Sequence, residues 1–153
     1  MLPTLSGRIQ TRIFALAVFG GIWTLLITLV LPTGARLGPS YGATFTILLM
    51  VIVIGILWEL LYHFLMQFRW EKDWPAIFNL GQMIPEGITT FLLLHVAVLN
   101  PLGDLEGGDK EQFVPVVAYV MLFVTTWIVT WLFANGPMKI FFIRWRFRGG
   151  RLV

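Results

Sequence analysis

Four apolar stretches divide the chain, at about residues 13–31, 43–66, 76–99 and 113–134. Each is close to the roughly 20 residues that an α-helix needs to cross a bilayer core. Between them lie breakers and polar residues. Pro32 and the glycine-bearing stretch 34–42 close the first run, and a cluster containing Arg69, Glu71, Lys72 and Asp73 closes the second. Pro75 opens the third, since proline is tolerated in a first helical turn. An acidic, glycine-bearing loop at 100–112 precedes the fourth, and Asn135, Gly136 and Pro137 end it. Helices of a soluble bundle carry a polar face, whereas these runs are apolar nearly all round. The pattern predicts an all-α membrane protein: a four-transmembrane-helix bundle with short loops, folded as a single integral membrane domain over residues 1–153.

Composition agrees. The chain is 58% hydrophobic and 12% charged, against about 25% charged in soluble domains. The first run is longer than a secretory h-region, and no small-x-small cleavage site follows it, so it reads as a retained helix. The absence of cysteine excludes disulfides, thiolate metal ligands and thiol catalysis.

Charge sets the expected orientation. Arg8, Arg12, Arg69, Lys72, Lys139, Arg144, Arg146, Arg148 and Arg151 flank one side of the four runs, nine cations in all, whereas Arg36 and Lys110 flank the other. Cytoplasmic flanks are enriched in Lys and Arg, which puts both termini in the cytoplasm. A multi-pass cell-membrane location, the bacterial inner membrane, is the expectation.

Ionisable residues inside a bilayer are costly and mark candidate chemistry. Glu59 and His63 lie four apart in the second run, where they can pair with one another. Asn79, Gln82 and Glu86 share a stripe of the third. From the helical rise, Glu59 is ~10 Å inside the cytoplasmic end and Glu86 ~15 Å inside, near the midplane. Glu86 sits between Pro85 and Gly87, a sequence that weakens a helix. A protonated Glu86 can bond Gln82 or a threonine of the fourth run; a carboxylate at a helix break can also serve proton or ion conduction. Asn79, Gln82, Glu86, Glu59 and His63 are therefore the proton or ion candidates. Glu59, His63 and Glu86 form only a weak metal set, because the repeated Glu-x-x-His spacing of helical di-iron sites is missing, and no metal or other cofactor is expected. His95 reads as an interfacial or packed histidine.

Gly20, Thr24 and Thr28 recur every four residues and form a small-residue stripe suited to close helix packing. Tyr119, Thr126 and Thr130 share a face of the fourth run, and Trp127 and Trp131 read as lipid- or partner-facing. The tail at 138–153 is basic and aromatic. In it Arg144, Arg146, Arg148 and Arg151, interleaved with Trp145 and Phe147, suit anionic headgroups, worth about 1 kcal/mol per cation near a surface, or a protein partner. Nucleic acid is not expected beside a membrane helix. The acidic residues at 104–111 lack EF-hand spacing and read as a solvated loop.

No nucleophile–base arrangement favours an enzyme. The expected function is a small accessory or scaffold subunit of a larger membrane complex, with membrane-protein partners or further copies of itself. The alternative is an ion- or proton-conducting component that uses Glu86.

Overall fold

A computed structural model describes residues 4–68, 80–96, 114–142, 144 and 149–152, and all structural statements concern these. Every regular element among them is helical. Helix α1 (Leu5–Ile27) contains a π-helical turn at Leu16–Gly20. Helix α2 is Leu37–Met66, α3 is Met83–Val96, and α4 is Val116–Asn135, followed by the short α5, Pro137–Phe141. Three spans are long and apolar enough to cross a membrane: Leu5–Ile27, Leu37–Met66 and Val116–Phe141. Helix α3 packs against α2 and α4.

The first helix begins earlier than the apolar run. Thr4 caps it, its hydroxyl accepting from the Gly7 amide at 3.1 Å, which satisfies one of the free N–H groups of the first turn. Arg8 and Arg12, read from sequence as flanking cations, are therefore inside α1 and face other helices. The helix also stops at Ile27 rather than 31. Helix α2 starts six residues before the expected 43, with Pro39 in its first turn. Helix α4 starts at Val116 rather than 113, and Gly136 separates it from α5, so part of the expected interfacial tail is helical. The ends of the third run, 76–79 and 97–99, lie outside the described residues.

The π turn has a geometric consequence. In a regular helix of 3.6 residues per turn, Gly20 would sit about 80° around the axis from Arg12. The extra residue of a π turn removes about 100° of rotation, which brings the two within about 20°. The arginines and the Gly20–Thr24–Thr28 stripe then face the same interior. Leu16, Ala43, Ile47, Val51, Leu94, Ala118, Leu122 and Phe123 form its apolar core.

Glycines set the closest approaches. A Cβ on Gly87 would meet the Phe123 ring at 2.8 Å, and one on Gly20 would meet Leu48 Cδ1 at 3.3 Å and Thr126 Cγ2 at 3.4 Å. Tyr119 donates its hydroxyl to the Gly87 carbonyl at 2.8 Å and fixes α4 to α3. On the outer side Phe19 stacks on Phe133 with centroids 4.1 Å apart, and Trp23 Nε1 donates to Thr125 Oγ1 at 2.9 Å.

The two ends of the chain meet. The Thr4 amide donates to the Gly149 carbonyl at 2.8 Å, the Thr11 hydroxyl to the Gly150 carbonyl at 2.9 Å, and the Leu152 amide to Gln10 Oε1 at 3.0 Å. Gly7 allows this approach, since a Cβ there would overlap the Gly149–Gly150 backbone. Gly149 and Gly150 take φ of 64° and 83°, a left-handed conformation that glycine adopts without steric cost.

Candidate functional site: a buried arginine–glutamate network beside a cavity

Arg8 and Arg12 are four apart on α1 and share a face. Arg8 Nε donates to Glu59 Oε2 at 2.7 Å, and its Nη1 lies on the Met66 sulfur. Arg12 reaches both acids: its Nη1 is 3.5 Å from Glu59 Oε1, and its Nη2 donates to Glu86 Oε2. One planar guanidinium thus bridges carboxylates from α2 and α3. Arginine suits this better than lysine, because its donors are fixed in a fork. Both carboxylates are largely removed from solvent, with Glu86 only 1% exposed.

Gly55, one turn before Glu59 on α2, makes room for the guanidinium. A Cβ at that position would collide with Nε, Cζ and Nη2 of Arg12. Trp127 of α4 completes the enclosure, its ring centroid 5.7 Å from the Arg12 guanidinium carbon. All four long helical elements therefore meet around Arg12.

These contacts revise several expectations. Glu59 binds Arg8 and Arg12 rather than His63, whose Nδ1 is buried without a hydrogen-bond partner. Glu86 accepts from Arg12 rather than from Gln82 or a threonine. Trp127 and Trp131, both half-buried, also line a cavity that opens to the surface. Glu59, His63 and Glu86 do not converge on a metal position, and no group of three His, Asp or Glu does so among the described residues. A turn at Gln82 precedes α3, so the chain departs from regular helix just ahead of Pro85, where that ring crowds the carbonyl four residues earlier. Helix α3 then continues through Glu86 and Gly87.

The remaining candidates are placed as follows. Gln82 is buried, with Nε2 unpartnered. Thr24 and Thr28 are buried, and Thr28 Oγ1 lies 3.0 Å from Thr44 Oγ1. His95 stacks on Phe91 at 4.0 Å, and its Nδ1 lies 3.0 Å from the Phe91 carbonyl oxygen. Arg144 and Arg151 are exposed, and Arg151 Nε donates to Thr4 Oγ1 at 3.4 Å. Asn79, Trp145, Arg146, Phe147, Arg148 and the acidic residues at 104–111 lie outside the described residues.

Sequence reading missed Arg8, Arg12 and Gly55. A signal was present: two arginines four apart at a helix start, matched in number by two acids inside later helices. The network borders a cavity of about 260 Å³ between the first half of α1 and the last turns of α4, near the meeting point of the chain ends. No family model, curated protein or solved structure matches the chain.

Proposed function

We propose that the chain is a four-span membrane protein with both termini cytoplasmic, serving as a small accessory or scaffold subunit of a larger membrane complex. The observation that carries this reading is that both described intramembrane carboxylates are bound by arginines of α1. The charged groups are spent on joining three helices, which suits a rigid structural unit. The meeting of the chain ends supports an even number of crossings, with α3 in the fourth. Sidedness rests on charge: with Arg8 and Arg12 paired internally, seven cations still flank the side of the termini against two on the other. A bacterial inner membrane is the setting of this reading.

The outer face of α2 offers a partner surface, with Leu49, Val53, Leu57, Leu60 and Phe64 exposed along one stripe. The tail cations, Arg144, Arg146, Arg148 and Arg151, with Trp145 and Phe147, dock on anionic headgroups or on that partner. The reading invokes no cofactor and no nucleic acid. Photo-crosslinkers placed at Leu49 and Leu57 of this stripe, activated in native membranes, test it. Discrete adducts with a membrane protein are expected; lipid adducts alone, together with a partner-free monomer in mild detergent, refute it.

A second reading, proton or ion conduction through Glu86, is favoured by one feature: Glu86 Oε1 is buried without a hydrogen-bond partner. Intramembrane acids commonly mark ion pathways. Proteoliposome flux that disappears in Glu86→Gln is the expected result under this reading, and unchanged flux eliminates it.

A further inference from the structure

We infer that the cavity between α1 and α4 is a binding site for the phosphate-bearing headgroup of an anionic lipid. The inference rests on the reading above that this end of the bundle lies at the cytoplasmic face. The cavity wall carries three cations, Arg8, Arg12 and Lys139, against one acid, Glu59. Counting Glu86, which Arg12 binds from behind, the site keeps one positive charge more than it has negative. Lys139 stands at the rim, exposed, with only a 3.4 Å contact to Asn135 Oδ1.

The hydrogen-bonding inventory points the same way. Gln82 lines the cavity, is 6% exposed, and leaves its Nε2 donor without an acceptor. Trp127 also lines it, presenting its ring to the cavity. Arginine and lysine side chains can only donate. A wall with surplus donors and surplus positive charge takes a ligand rich in acceptors and negatively charged, as a phosphate is.

Size and polarity narrow the class. At about 30 Å³ per water in the liquid, 260 Å³ holds the equivalent of about eight or nine waters. That suits a headgroup and excludes a whole lipid. Ala15, Leu16, Ala134 and the rings of Trp127 and Trp131 supply an apolar wall beside the cations. An amphiphile fits both halves: its phosphate at Arg8, Lys139 and Gln82, its glycerol and first methylenes against the apolar wall.

The test is native mass spectrometry of the full chain released from nanodiscs. The nanodiscs contain phosphatidylglycerol and phosphatidylcholine in equal amounts, and inorganic phosphate is tested in a separate arm. One phosphatidylglycerol retained per chain, at least tenfold over phosphatidylcholine, is expected. Lys139→Glu and Gln82→Leu should each lower that retention at least fivefold. Neither side chain bonds to Arg12 or Glu86, and an unchanged melting profile checks that each variant folds. Equal retention of the two lipids, or retention unaffected by both variants, overturns the inference. Binding of inorganic phosphate that displaces phosphatidylglycerol confirms the anion site; phosphate binding without any lipid retention overturns the lipid assignment. Cysteine accessibility at Arg151→Cys, read from each side of the membrane, reports the sidedness separately.

Discussion

Helices α1 and α2 are joined by different chemistry at their two ends. Near Leu5 and Met66 the contacts are ionic, with Arg8 and Arg12 gripping Glu59 and Arg12 extending the grip to Glu86 of α3. Near Ile27 and Leu37 they are hydroxylic: Thr28 lies 3.0 Å from Thr44, and Thr33 2.7 Å from Ser40, through their hydroxyl oxygens. A hydroxyl in a membrane helix has a fallback, because it can bond the carbonyl one turn earlier, as Thr28 also does with Thr24 at 2.6 Å. A buried guanidinium or carboxylate has none of comparable quality. The ionic end is therefore demanding about its partners, and the hydroxylic end is forgiving.

The largest effect should come from Arg12→Leu. It leaves Glu86 without its cation, and removing one member of a buried pair costs about 3–5 kcal/mol. Unfolding in mixed detergent micelles should show that loss, with most of it recovered in Arg12→Leu/Glu86→Leu, since an apolar pair of similar volume replaces a buried ion pair at little cost. A double variant as unstable as the single would show that the ionic end is not held by this pair.

Gly55→Val should come next, because its side chain occupies the space of the Arg12 guanidinium. Overpacking costs typically about 1–3 kcal/mol, and here it also displaces Arg12 from Glu86. A thermal midpoint equal to that of the parent chain would contradict the close approach. At the other stripe, Gly20→Ile should lose about 1–2 kcal/mol, less than Gly55→Val, because its neighbours are the movable side chains of Leu48, Thr126 and Thr130 rather than a fixed ion pair. The reverse ranking would place the tighter constraint at the hydroxylic end.

Smallest of all should be Thr28→Val, at about 0.6 kcal/mol, the average for hydrogen bonds between membrane helices. Thr44 keeps its bond to the Tyr41 carbonyl at 3.1 Å. A loss as large as that of Arg12→Leu would erase the distinction between the two ends.

Much of the architecture was legible beforehand because apolar length and breakers act locally. The existence of the helices followed from runs of apolar residues, and Glu59 and Glu86 drew attention because charge inside such runs is expensive. Gly20, Thr24 and Thr28 were legible from their spacing of four. The boundaries of α1 were not, because a hydropathy window stops at an arginine whether that residue faces water or a carboxylate. The contact of Trp127 was not legible for a similar reason: its spacing fits a lipid face or an interior equally well, and only the fold sets its ring beside the Arg12 guanidinium.

The sequence by itself determined the solvent and the existence of the long helices. A chain with this many apolar residues in runs of this length must satisfy its backbone hydrogen bonds within helices inside a bilayer. Only the tertiary structure decided the pairing. Arg12 is 74 positions from Glu86 along the chain, and the two meet because the π turn rotates α1, Gly55 clears the space and α3 brings its acid to the same level. Ion pairing acts over a few ångströms, so it is fixed by which helices become neighbours, and no local pattern contains that information.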